Sequence, residues 1–482
     1  MADCGIGFGA EGRTARRGQR MRIDSNISPS HLTEDLDRFF SLAGKKIRRL
    51  VENWNPADGA PVFTRKGKYT SRGWTEWTQG FLYGMPLLQY DATGDARAFE
   101  LGREMTLRHM APHLTHTGVH DHGFNNVSTY GNLWRLAKAG RTGDSADLVQ
   151  LYETALRVSG AVQAARWTHA PAAGGGFIHS FNGPHSLFSD TIRSCRSLVL
   201  AHRLGHVLCG ENDRRISLLG RAMDHIRMTL RHNVWYGTGR DAYDVRGRVA
   251  HEGIFNVTDG NYRCPSTQQG YSPFSTWTRG LAWVLLGCAE ELEVFAALPK
   301  PEMEVHDPEG TFVFQMIEAA RATADFYIAN TAADGIPFWD TGAPGVAKTG
   351  KYQDAVSNPD NPWEPVDSSA ACIAAQGLLR LGSFLGRTGK GARYFRAGLV
   401  TAKTLLNPPY LSDNPRHEGL ILHSVYHRPN GWDYVPKGKA VPQGESSMWG
   451  DYHAMEMAVC LKRLAEGRPA FTFCGESQRP PA

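Results

Sequence analysis

Two aspartates carry the chemistry that the sequence makes most available. Asp190 lies in Phe188-Ser189-Asp190-Thr191-Ile192, one position outside an apolar series with helical spacing. Burying a carboxylate there costs several kcal/mol unless it is neutral or paired, so such a group can hold a proton near neutral pH. A solvent-facing helix aspartate is the alternative reading. Asp121 lies in His120-Asp121-His122-Gly123-Phe124, where a helix is predicted to begin, and capping that helix is its simplest use. If both side chains enter one cavity, their repulsion raises the proton affinity of one of them, which is how an acid is placed beside a carboxylate.

Arg279 and Trp283 are four residues apart in Ser275-Thr276-Trp277-Thr278-Arg279-Gly280-Leu281-Ala282-Trp283. On a helix they share a face and could grip a carboxylate and stack on a sugar ring, unless Arg279 is simply paired to a surface acid. Gln269 and Tyr271 just ahead of this helix, and His251 in a long loop, add polar and aromatic groups. The tryptophans near the candidate acids, Trp74, Trp77, Trp277, Trp283 and Trp339, suit carbohydrate stacking, although tryptophans are more often core. His113, His116, His120, Asp121 and His122 crowd one loop and could ligate zinc, but their spacing matches no familiar site. No Gly-x-Gly-x-x-Gly phosphate loop following a strand and no Gly-x-Ser-x-Gly elbow is present, which argues against a nucleotide cofactor and a serine triad.

The elements that must position these residues are helical. Val127, Tyr130, Trp134 and Ala137 step by three and four, as do Phe188, Ile192, Cys195 and Val199, and Ala374, Leu378, Leu381 and Leu385; each series paints one helix face apolar. About twelve such segments are predicted, near 31–54, 74–91, 95–110, 122–140, 144–165, 186–208, 212–233, 275–297, 313–331, 367–386, 390–407 and 447–466. Thr93-Gly94-Asp95, Thr142-Gly143-Asp144 and Thr388-Gly389-Lys390 separate helix pairs, with Gly suited to a left-handed C′ position and the two aspartates to the next N-cap. The spacing predicts six helical hairpins, which can close into an all-α toroid of inner and outer helices or stay open as a solenoid. The segments 234–274 and 332–366 break the rhythm and are placed at a rim, where a pocket needs walls.

The 482 residues show no linker-like stretch in the middle. They are read as a flexible tail over 1–28, one domain over 29–470 and a C-terminal tail over 471–482. Fifty-three Lys and Arg against 48 Asp and Glu, a net charge of +5, leave no basic stripe for nucleic acid. No run of about eighteen apolar residues exists for a membrane span. Eight scattered cysteines without a Cys-x-x-Cys suit reduced thiols in a cytoplasmic protein. The arginines of the first twenty-two residues precede no apolar signal core.

Taken in order, Trp77-Thr78-Gln79-Gly80-Phe81, His120-Asp121-His122-Gly123-Phe124, Ser189-Asp190-Thr191, Gln269-Gly270-Tyr271-Ser272, the Ser275–Trp283 run, Pro337-Phe338-Trp339-Asp340, Asp367-Ser368-Ser369-Ala370 and Trp449-Gly450-Asp451-Tyr452 resemble the unsaturated glucuronyl hydrolases of glycoside hydrolase family 88, over roughly residues 35 to 465. The resemblance implies an (α/α)6 barrel and an exo-acting hydrolase that hydrates a vinyl ether rather than displacing at the anomeric carbon. It implies Asp190 as general acid and base, and Asp121 as the second aspartate that holds sugar hydroxyls and keeps Asp190 protonated. His251, Gln269, Arg279 and Trp283 match positions around the unsaturated ring, and Trp77, His120 and Phe124 match further pocket positions. No metal or organic cofactor is implied; the partner is an unsaturated oligosaccharide, and the chain works as a monomer or homodimer. The sequence departs from the family pattern at Ile178-His179-Ser180-Phe181, at Gln268 and at Pro273-Phe274, which leaves the sugar of the next subsite open. Three other readings stay in view: the related unsaturated rhamnogalacturonyl hydrolases, a lyase on a similar toroid using Tyr271 or His251 as base, and a glycan-binding protein without catalysis.

Overall fold

The computed structural model describes residues 21–73 and 76–476. Trp74 and most of the N-terminal tail lie outside the described residues. Helices alternate between two rings. The outer ring holds α1 (Thr33–Asn53), α3 (Ala96–His109), α6 (Ala146–Ala165), α9 (Leu218–His232), α11 (Phe312–Ala329) and α13 (Ala392–Leu405). The inner ring holds α2 (Gln79–Thr93), the interrupted helix α4 (His122–Asn126) and α5 (Asn132–Lys138), the short pair α7 (Thr191–Ser194) and α8 (Arg196–Arg203), then α10 (Thr278–Phe295), α12 (Ser368–Phe384) and α14 (Met448–Ala465).

Burial explains which helix goes where. α1 buries one stripe, Leu36, Phe39, Phe40, Ala43, Ile47 and Leu50, and leaves its charged face to water, as an outer helix must. α10, by contrast, is buried at nearly every position, the pattern of a helix with protein on all sides. Inner neighbours touch in sequence, α10 with α7, α10 with α12, α12 with α14, and finally α14 with α2. That last contact closes the ring, so the chain is an all-α six-hairpin toroid and not an open solenoid.

Several boundaries differ from the sequence reading. Asp95 caps α3 through its side chain, accepting from the N–H groups of Arg97 and Ala98, and Gly94 is left-handed. At the second turn Ser145 is the cap instead; Asp144 pairs with Arg103 at 2.6 Å. Residues 186–190 are not helical. Ser186–Phe188 forms a strand, β1, which pairs antiparallel with β2 (Glu252–Phe255), itself paired with β3 (Tyr262–Ser266). A short run buried on both faces has no periodicity to tell strand from helix. Some residues assigned to the tails belong to the fold: Met21 and Ile27 are buried, and Phe471–Thr472 pairs with Gly475–Glu476, the Phe471 ring lying under Arg135 and Arg380. No helix among the described residues is long and apolar enough to cross a membrane.

Candidate active site

The inner helices begin at one end of the toroid, and the candidate residues sit at those beginnings. Trp77 precedes α2, Asp121 precedes α4, Asp190 precedes α7, and Arg279 is the second residue of α10. Helix N-termini converging on one hollow present free N–H groups and positive dipole ends, an environment that favours an anion. Trp77, His120, Asp121, Phe124, Asp190, Gln269, Arg279 and Trp283 all line that hollow, together with Phe181, Trp277, Tyr426 and His427.

Close backbone contact fixes the two aspartates relative to each other. At Gly123, two residues after Asp121, an added Cβ would come within 2.5 Å of the Ser194 Cα. The Gly123 N–H donates to the Ser194 hydroxyl at 2.8 Å, and Arg196 donates to the Gly123 carbonyl at 2.8 Å. Only glycine lets α4 and α7 approach this far. Below them a buried ion cluster locks the floor: Arg193 donates to Glu290 of α10 at 2.8 Å and to Glu456 of α14 at 2.5 Å. Its guanidinium also lies under the Phe124 and Trp283 rings, at 5.9 and 5.8 Å.

Asp121 occupies the N-cap position of α4 but makes no side-chain cap bond, so the capping role does not explain it. Its Oδ1 lies 3.8 Å from His120 Nε2, and Asp190 Oδ1 lies 3.6 Å from the same nitrogen. All three side chains are buried. Asp121 Oδ2, Asp190 Oδ1 and His120 Nδ1 have no hydrogen-bond partner, an unusual concentration of unsatisfied polar atoms for a structural core and a frequent sign of a site awaiting a ligand.

The order of proton affinity in the pair differs from the sequence reading. Burial, opposed by His120 and assisted by Asp190, pushes the Asp121 carboxyl up to about 6. Burial also pushes Asp190 upward, but the imidazoles of His120 and His251 outweigh it and hold that carboxyl below its ordinary value. His120 is raised despite its burial, because both carboxylates face it. One aspartate of the pair does gain proton affinity, as repulsion requires; it is Asp121 and not Asp190, because Asp190 has two imidazoles beside it.

Arg279 is buried and already engaged. Its terminal nitrogens donate to Asp367 at 2.9 Å, to Gln269 Oε1 at 2.9 Å and to the carbonyls of Val425 and Tyr426 at 2.5 and 2.8 Å. The acid it pairs with is buried, so neither the free carboxylate clamp nor the surface pair of the sequence reading describes it; it ties the 425–427 segment to α10 and α12. His251 Nδ1 accepts from the N–H groups of Gln268 and Gln269 at 3.0 and 3.4 Å, which places the ring proton on Nε2, an atom with no partner. Burial pushes this imidazole down to about 4. It is thus a neutral donor, not a base, and Tyr271 is 52% exposed; neither is placed as a lyase base. Trp339 is structural, its Nε1 donating to Glu364 at 2.9 Å.

Tyr426 and His427 escaped the sequence reading because they sit in irregular chain without periodicity or motif. Phe181 was noted only as part of a segment that departs from the family pattern.

Comparison with known proteins decides how the geometry is named. An unsaturated glucuronyl hydrolase of Bacillus sp. (strain GL1) is 25% identical over 407 residues, 83% of this chain and 90% of its own length. An unsaturated chondroitin disaccharide hydrolase of Streptococcus pyogenes serotype M1 is 22% identical over 88% of this chain and 90% of its own. The chain is a relative of the unsaturated glucuronyl hydrolases. It is accordingly a glycoside hydrolase in kind. The solved unsaturated glucuronyl hydrolase from Bacillus sp. GL1 superposes with a TM-score of 0.67, at 22% identity, over 92% of this chain and 100% of that one. A mutant unsaturated glucuronyl hydrolase of Streptococcus agalactiae, solved in complex with dGlcA-GalNAc6S, gives 0.59 at 17% identity, over 92% and 97%. These likenesses carry the toroid fold. No family model matches the chain.

Proposed function

We propose that this chain is an exo-acting hydrolase that removes a 4,5-unsaturated glucuronic acid from the non-reducing end of oligosaccharides produced by a polysaccharide lyase. The observation that carries the reading is the buried trio of Asp121, His120 and Asp190, brought from two hairpins to one hollow. The curated relatives, named an unsaturated glucuronyl hydrolase and an unsaturated chondroitin disaccharide hydrolase, support the substrate class of this reading.

In this scheme protonated Asp190 gives its proton to C4 of the C4=C5 bond, whose electron pair forms the new C4–H bond. The positive charge that develops at C5 is shared with the ring oxygen. Asp190, now a carboxylate, takes a proton from water as that water bonds to C5, so the acid is regenerated. The C5 hemiketal opens to a ketone, the former ring oxygen becomes a hydroxyl on C1, and C1 expels the linked sugar as an alcohol.

The imidazoles of His120 and His251 favour the Asp190 carboxylate, and substrate binding opposes them. A uronate carboxylate arriving among the helix N-termini brings a negative charge and displaces water, and both raise the proton affinity of Asp190. Asp121 holds a proton up to about pH 6, and His120 Nε2 lies between the two carboxyls as the path for it. His251 Nε2–H and Gln269 are left to orient the ring.

The test is optical. A conjugated enol-ether carboxylate absorbs in the ultraviolet, and the wild-type chain should abolish that absorbance in lyase-made disaccharides. Asp190→Asn should leave it unchanged while remaining folded; turnover by that variant removes Asp190 from the role assigned here.

A further inference from the structure

Next to the catalytic hollow lies a second, larger cavity of about 740 Å³, within the roughly 300–1,000 Å³ of small-molecule sites. The two are neighbours. Phe181 lines both; Gly118 and Val119 of the larger cavity run into His120 and Asp121, and its Gln268 runs into Gln269. The steps at C4 and C5 use none of this space, yet the sugar attached at C1 must lie somewhere outside the narrow hollow.

The chemistry of the walls is specific. Polar groups come from His113, His116, Asn182 and Gln268, and among the described lining residues there is no Asp, Glu, Lys or Arg. Burial pushes His113 down to about 4, so it is neutral at physiological pH. Gln268 is held by its own N–H, which donates to His251 Nδ1 at 3.0 Å, while its side-chain Oε1 has no partner. Asn182 is held by Glu252 at 3.1 Å, so a buried carboxylate stands behind that wall. The nearby cation Arg166 is not among the lining residues; its Nε and both terminal nitrogens donate to the carbonyls of His179, Thr117 and Ser180 at 2.6 to 2.7 Å.

We propose that this basin holds the departing sugar and selects an uncharged one, bearing hydroxyl or N-acetyl groups and no sulfate. The inference rests on the hydrolase reading above. Amide and imidazole groups exchange hydrogen bonds with hydroxyls and acetamides at little cost. A sulfate in the basin leaves its water, meets no Lys or Arg among the described lining residues and has the carboxylate of Glu252 behind the Asn182 wall, so its desolvation is poorly offset.

Two disaccharides that differ in one group test this, dGlcA-GalNAc and its 6-sulfated form. The wild-type chain should favour the unsulfated sugar in kcat/KM by about tenfold or more, and Gln268→Lys should narrow that gap by giving the sulfate a cation. Binding of the same pair to Asp190→Asn, followed by tryptophan fluorescence, separates the two readings. Preferential binding of the unsulfated sugar without any wild-type turnover keeps the basin and removes the proposed reaction. Turnover of both sugars at equal kcat/KM, or equal binding to Asp190→Asn, overturns the basin's selectivity while the reaction stands.

Discussion

Asp121 and Asp190 address the same imidazole nitrogen, His120 Nε2, from neighbouring hairpins at 3.8 and 3.6 Å. Three titratable groups this close cannot change protonation independently. Removing His120 therefore separates the carboxyls electrostatically. In His120→Asn, Asp190 loses the charge that holds it low, so it stays protonated to higher pH and the basic limb of the kcat profile should move upward by a pH unit or more. An unshifted limb would leave His120 without a part in the proton's path.

The raised carboxyl of Asp121 has a consequence for stability. An acid whose folded value lies above its unfolded one favours the fold only while protonated. The wild-type chain should match Asp121→Asn near pH 4 and lose ground as pH climbs through about 6. By pH 7.5 the variant should be the more stable by about 3 kcal/mol. Denaturant melts of both proteins at the two pH values measure this, and a constant difference would show that Asp121 carries no raised pKa.

Arg279 gives a test of position against binding. Its donors hold Asp367, Gln269 and two carbonyls, so Arg279→Lys should lower stability by about 3–5 kcal/mol, the range for breaking a buried pair. A residue serving only to grip the substrate carboxylate would raise KM and leave the thermal midpoint where it is.

Gly123→Ala probes the approach of the two aspartates. The added methyl meets the Ser194 backbone at 2.5 Å, and backbone cannot step aside as a flexible side chain can. Forcing α4 from α7 should cost about 1–3 kcal/mol of stability and lower kcat by roughly 100-fold, since displacements of about 1 Å are felt on that scale. Wild-type kcat in this variant would show that the spacing of Asp121 and Asp190 is uncritical.

Much of this was legible in the residues. Apolar stripes mark the outer helices and near-continuous apolar runs the inner ones, because the rings differ in how many sides are buried. Closure was not legible, since it depends on α14 meeting α2, a contact between distant segments that local periodicity does not encode. The site residues on helix starts carried motifs and were found. Tyr426 and His427 were not, lying on chain held in place by Arg279 and Asp433 and not by any repeating pattern. The protonation order of the aspartates also lay beyond the sequence. It depends on His251 reaching Asp190 from strand-flanking chain, after β1 and β2 replace the helix that periodicity suggested across 186–190.

The hydration itself is tested most directly by running the reaction in deuterated water and examining the released uronate by NMR. The account predicts one solvent deuteron at C4, delivered by Asp190 to the former double bond, and loss of the vinyl signal in step with release of the linked sugar. A released uronate that keeps its C4=C5 bond and carries no deuterium at C4 would contradict it, because the chain would then be cleaving at the anomeric carbon.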